Sequence, residues 1–133
     1  MSKFDEIVSK VQNFHSVFGL GIKQTPVANP GEDVVALRHR LMEEENEEYL
    51  EAAQENDLEL VADALGDKLY ILCGTIISHG MQHKIVEVFE EIHRSNMSKL
   101  GEDGAPIRRE DGKVLKGPGY FLPDIKSIME KTN

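Results

Sequence analysis

Apolar residues recur at helical spacing through most of the chain. Phe4, Ile7, Val8, Val11, Phe14 and Phe18 predict an amphipathic helix over 3–18, ended by Gly19-Leu20-Gly21. Residues 24–31, with Pro26, Asn29 and Pro30, read as a loop. A second helix is predicted over 33–55, with Asp33 as its N-cap and Val34, Leu37, Leu41 and Ala52 on its inward stripe. Asn56-Asp57 interrupts the pattern, and Asp57 is placed to cap a third helix over 58–79. In that helix Leu58, Val61, Leu65, Leu69, Leu72 and Ile76 form one stripe, while Leu60, Ala64, Ile71 and Ile77 lie on the far side. A helix apolar all round is buried on both sides. In so short a chain the second cover is expected from another subunit, with Ala62, Gly66 and Gly74 allowing close approach. A fourth helix is expected over 82–100, carried by Ile85, Val86, Phe89, Ile92 and Met97. Beyond it, 107–115 reads as a small hairpin around Asp111-Gly112, 116–120 as an extended basic loop, and Asp124 as the cap of a short helix holding Ile125, Ile128 and Met129. The expected fold is all-α: an antiparallel helical bundle with a small C-terminal hairpin. It is read as one domain over 1–133, with core helices at 33–100 and a basic appendage at 101–133.

The second and third helices break their own pattern with acid. At about 100° per residue, Glu45 and Glu48 fall in the middle of the inward stripe and Glu44 on its edge, whereas Glu43 and Glu47 point outward. Asp63 and Asp67 stand four apart, one above the other, on a side of the third helix that is otherwise apolar. Ionised carboxylates are almost never buried without a partner. Two helices joined by a short turn pack antiparallel, so these rungs can converge. Oxygen-only ligands with no Cys or His among them suit Mg²⁺ or Mn²⁺.

Composition narrows the field. In 133 residues, 15 Lys plus Arg stand against 24 Asp plus Glu, a formal charge of −9. That balance disfavours a nucleic-acid polymer or an anionic membrane as partner. It leaves phosphate substrates open, because divalent ions invert the local sign. Cys73 is the single cysteine, so no internal disulfide forms and a reducing compartment is natural. The first residues lack the basic start and apolar core of a signal peptide, and no apolar run reaches the roughly 20 residues of a membrane span. A soluble cytoplasmic protein is expected.

Glu44-Glu45-Asn46-Glu47-Glu48, preceded by Arg40-Leu41-Met42 and followed by Tyr49 and Ala52, resembles the Glu-Glu-x-x-Glu helix of the all-α nucleoside triphosphate pyrophosphohydrolase superfamily. That superfamily includes MazG-like proteins, dimeric dUTPases and phosphoribosyl-ATP pyrophosphohydrolases. The register Glu43-Glu44-x-x-Glu47 fits the same letters but places Glu43 and Glu47 outside. The partner helix of the family carries Glu-x-x-Asp. Here Asp67 fills the aspartate position and Ala64 stands where the glutamate is expected. Asp63, one residue earlier, resembles the Ala-Asp-Ala-Leu-x-Asp variant of some MazG-like branches, and which carboxylate completes a second metal site stays open. The segments 93–100 and 111–116 are also similar to phage and bacterial members. The resemblance implies Mg²⁺ (with Mn²⁺ substituting) held by Glu44, Glu45, Glu48, Asp63 and Asp67; of these, Glu44 at the stripe's edge is the candidate to accept the proton of an attacking water. It implies hydrolysis of a nucleoside triphosphate to monophosphate and pyrophosphate. Asn96 and Lys99 match substrate-contacting positions, and Lys113, Lys116, Arg108 and Arg109 are the natural phosphate partners. A homodimer or homotetramer is expected.

Two other classes compete. Glu90 and His93 make one Glu-x-x-His, the spacing of di-iron carboxylate bundles, which need two such motifs. A ferritin-like protein would therefore require a dimer. The third reading is a non-catalytic nucleotide- or metal-binding module. His15, His39, His79 and His83 are expected at the surface or in caps, Tyr49 and Tyr70 in the core, and Cys73 in packing.

Overall fold

The structure is a computed structural model and describes residues 2–131. Among the described residues, five helices and one two-stranded hairpin form two compact units, Met1–Gln82 and His83–Asn133. Among the described residues no helix is long and apolar enough to cross a membrane.

The first unit holds α1 (Lys3–Phe18), α2 (Glu32–Gln54) and α3 (Leu58–Ser78). α1 starts at a capping box in which the Ser2 hydroxyl and the Asp5 carboxylate satisfy each other's free backbone N–H groups. Asp57 caps α3 by accepting from the Leu60 N–H, as its position predicts. α2 departs from expectation at its start. Gly31, not Asp33, occupies the cap, and no side chain caps the helix; Asp33 instead lies in the first turn, where its charge faces the positive end of the dipole. Between α2 and α3 the chain reverses through Asn56 at φ 55°, a left-handed conformation that asparagine tolerates better than most residues. The two helices therefore run antiparallel.

α3 buries a different face from the one its long side chains suggest. Ala64, Cys73, Gly74, Ile77 and Ser78 are buried, whereas Leu58, Leu65, Leu69 and Leu72 of the expected stripe are exposed, Leu58 by 82%. Small residues face α1 and α2 because they let those helices come close. Cys73 and Ile77 join Val8 and Val11 in the core, with Phe4, Ile7 and Ile22 packed against them. Tyr49 and Tyr70 lie part-exposed outside this core, Tyr70 edge-on to Phe14 at 5.6 Å. His15, expected at the surface, is buried with Nδ1 3.0 Å from the Gly21 carbonyl. Arg38, one residue past Leu37 on the inward side of α2, is buried too.

The second unit holds α4 (Ile85–Met97), β1 (Ile107–Arg108), β2 (Val114–Leu115) and α5 (Ile125–Glu130). α4 is three residues shorter at each end than 82–100, because Lys84 and Ser98 already stand at its caps. β1 and β2 pair antiparallel, Ile107 opposite Leu115. Gly112 at φ 89° provides the turn, and Asp124 caps α5 by accepting from Ser127, both at the predicted places. The buried Lys84 ammonium donates to the Ile128 and Lys131 carbonyls, tying the end of α5 to the start of α4.

Gly74 and Gly66 separate packing from propensity. A Cβ at Gly74 would stand 2.6 Å from Arg38 Nη2 and 2.7 Å from His15 Nε2, whereas one at Gly66 meets nothing within 4 Å. Gly74→Ala is expected to destabilise by about 1–3 kcal/mol through overpacking. Gly66→Ala should stabilise by up to about 1 kcal/mol through helix propensity. Urea midpoints for the two variants check the opposite signs.

Candidate metal centre

The seam between α2 and α3 brings Glu45, Glu48 and Asp67 together. Each offers a carboxylate oxygen within 4.8 Å of the others, and among the described residues this is the cluster of His, Cys, Asp and Glu able to share an ion. The spacing follows from the helices. Glu45 and Glu48 are three apart on α2, hence neighbours on one face. Asp67 stands opposite on α3 because the antiparallel turn at 55–57 fixes which rungs meet. Glu48 and Asp67 are exposed, while Glu45 is half-buried.

Glu45 carries the electrostatic cost of this arrangement. Burial first, then the Glu48 charge and a hydrogen bond with Glu48, then the charges of Asp67 and Asp63, push its pKa up to about 7 from an ordinary 4.5. Its Oε2 is buried and has no hydrogen-bond partner. A carboxylate with one buried, donor-less oxygen, clustered with two further carboxylates, is an acceptor set that a hard divalent cation satisfies. The donor atoms present thus fit Mg²⁺ or Mn²⁺.

The remaining acidic residues divide. Asp63 lies close enough to act on Glu45 and lines a cleft of about 250 Å³ together with Glu48, Glu51, Glu55, Ala52, Leu60 and Ala64. Sequence reasoning passed over Glu51 and Glu55, although they follow Glu48 by three and seven residues on one helix face. Glu44 is outside the cluster: it is exposed and meets Arg40 at 3.8 Å in a solvent-facing pair. Glu43 and Glu47 are exposed as well. Lys68, also unanticipated, donates to Asn46 Oδ1 at 2.8 Å and bridges α2 and α3 beside the cluster.

The basic and amide residues expected to bind substrate all lie in the second unit. Asn96 and Lys99 line a cleft of about 340 Å³ with Met97, Leu100 and Val114. Arg109 is engaged by Asp111, which accepts from its Nε at 3.0 Å and pairs with its Nη2. Arg108 and Lys113 are exposed, and the Lys116 ammonium sits 4.9 Å from the centre of the Tyr120 ring. Glu90 and His93 are exposed and join no such cluster among the described residues.

Comparison with known proteins assigns the chain to a family. No curated protein matches the chain. A structure from Exiguobacterium sp. 255-15, provisionally named an NTP pyrophosphohydrolase, is 28% identical over 90% of each chain, with a TM-score of 0.45. That score leaves the assignment to the family model for phosphoribosyl-ATP pyrophosphohydrolase, which matches residues 11–96 and so spans α2, α3 and nearly all of α4. The chain belongs to the phosphoribosyl-ATP pyrophosphohydrolase family, within the MazG-like all-α pyrophosphohydrolases.

Proposed function

We propose that the protein is a Mg²⁺-dependent nucleoside triphosphate pyrophosphohydrolase, converting a (deoxy)nucleoside triphosphate and water to the monophosphate and pyrophosphate. Two observations carry this reading: the convergence of Glu45, Glu48 and Asp67, and the buried, unpartnered Oε2 of Glu45. Family membership supplies the reaction type, and the all-oxygen donor set favours Mg²⁺, with Mn²⁺ as substitute.

Glu45, Glu48 and Asp67 would hold the cation, with Asp63 close enough to act on Glu45 and add a fourth carboxylate. Bound there, a divalent cation would supply charge to offset the polyphosphate and make an attacking water more acidic. The other tasks fall to the chain. Glu44 is the base: it lies outside the converging set and, among the described residues, pairs with the exposed Arg40, so its oxygens can accept the water's proton. The water oxygen forms its bond to phosphorus as the bond to pyrophosphate breaks. Asn96 and Lys99 take the nucleotide on their cleft, and Arg108, Arg109, Lys113 and Lys116 offer charge to its phosphates. Arg109 has first to exchange its Asp111 partner. The exposed Leu58, Leu65, Leu69 and Leu72 of α3 support a homodimer or homotetramer. The unpaired Cys73 supports a cytoplasmic setting.

Pyrophosphate release measured across the common ribo- and deoxyribonucleoside triphosphates, with Mg²⁺, tests the activity. Glu48→Gln and Asp67→Asn are expected to lose about 100-fold or more in kcat/KM, since outer-shell changes alone cost about 10- to 100-fold. Wild-type rates in both variants would remove the mechanism.

Acidity provides a second check. The folded state holds the Glu45 proton up to about pH 7, whereas the unfolded chain releases it near the ordinary 4.5. The stability of the metal-free protein should therefore fall as pH rises between those values, then level off. Thermal midpoints in EDTA across that window are expected to decline for the wild type and to stay flat for Glu45→Gln. Proton competition should also weaken metal binding below about pH 7.

A further inference from the structure

Arg38 is a charged side chain with 4% of its surface exposed. Among the described residues no carboxylate pairs with it, and burial holds its pKa below the usual arginine range. A buried cation without a counter-ion is costly. Its hydrogen bonds show what the fold obtains in return. Nε donates to Thr75 Oγ1 at 3.2 Å and Nη2 to the Ile71 carbonyl at 3.1 Å, while the Thr75 hydroxyl donates to that same carbonyl at 2.9 Å. The guanidinium thus closes a small ring of polar groups on one turn of α3. It lies over Gly74, whose missing Cβ makes the approach possible, and the His15 ring of α1 reaches the same spot.

The position of this ring matters for the acidic cluster. Arg38 precedes Glu45 by seven residues, two turns along the same face of α2. Ile71 follows Asp67 by four, one turn along α3. An apolar side chain would fill the volume yet let one helix slide or rotate on the other. A planar fork bonded at two points fixes both height and rotation. Like charges facing each other across the seam need such an anchor, because their repulsion pushes α2 and α3 apart.

We propose that Arg38 is a positioning residue for the acidic cluster. Its bonds to Ile71 and Thr75 set the height and rotation at which Glu45 and Glu48 of α2 meet Asp67 of α3. The inference rests on the reading of that cluster as a divalent-cation site. Its test separates the two.

Mn²⁺ affinity is measured by calorimetry for the wild type, Arg38→Met, Arg38→Lys and Thr75→Val, alongside thermal midpoints in EDTA. Arg38→Met is expected to keep or raise the midpoint, since an apolar side chain replaces an uncompensated buried cation. Its Mn²⁺ affinity should nevertheless fall about 10- to 100-fold, the range seen when support for a ligand is lost. Arg38→Lys and Thr75→Val should fall between it and the wild type. Unchanged Mn²⁺ affinity in Arg38→Met and Thr75→Val would overturn the proposal, as would a loss of affinity that merely tracks a loss of midpoint in both. Should Arg38→Met fail to fold, Thr75→Val decides alone. A wild type that binds no Mn²⁺ would bring down the metal-site reading and this inference with it, whereas a binding wild type matched by its variants would remove only the role of Arg38.

Discussion

Three carboxylates held within 4.8 Å of one another on two adjoining helices form the constraint around which the first unit is built. Left alone, such a set relaxes by protonation, by rotation of the side chains into water, or by separation of the helices. The first route is visible in Glu45, which keeps its proton to about pH 7. The second is blocked for Glu45 by its half-burial, although Glu48 and Asp67 retain it. The third is opposed by the scaffold. A tight reversal at Asn56, the Asp57 cap, the Lys68–Asn46 bridge and the Arg38 fork tie α2 to α3 on both sides of the cluster.

Packing between these helices is achieved with small side chains instead of large ones. Ala52, Ala64 and Gly74 are buried along α2 and α3, and the leucines of α3 turn outward. Large residues at the seam would hold the backbones too far apart for carboxylates of two helices to reach a common point. The same exchange leaves an apolar stripe of Leu58, Leu65, Leu69 and Leu72 without cover in the single chain. Close helix approach at the site and an exposed leucine face elsewhere are therefore two results of one sequence choice.

Helix positions were legible because period and capping chemistry are local. The bounds of α1 and α3, the Asp57 and Asp124 caps and the hairpin at Asp111-Gly112 follow from residues within a few positions of each other. The inward placement of Glu45 was legible for the same reason, since period alone separates it from Glu43 and Glu47. What periodicity does not reveal is which face of an all-apolar helix is covered. Leu65 and Leu69 look more like core than Gly74 does, yet the glycine is buried because Arg38 and His15 need its space. Arg38 itself was hidden by its charge. An arginine on an inward stripe reads as a solvent residue until the carbonyl that receives it, 33 positions away, is known. Glu51 and Glu55 had a readable signal, their spacing from Glu48, but only the cleft they line with Asp63 gives it meaning.

Charge distribution gives the cluster its chemical setting. Residues 1–82 contain six Lys and Arg against fifteen Asp and Glu, so the whole net charge of −9 resides in the unit that holds the cluster. Residues 83–133 contain nine of each and are formally neutral. A polyphosphate approaching the first unit meets repulsion unless divalent charge accompanies it. Basic side chains placed among Glu45, Glu48 and Asp67 would relieve that repulsion, but they would also compete with the cation for the same oxygens. The basic side chains nearest the cluster are engaged elsewhere: Lys68, beside Asp67, donates to Asn46 Oδ1. The one arginine buried in the seam is turned toward carbonyl and hydroxyl oxygens of α3, two turns away from Glu45, where it holds the helices without quenching the carboxylates.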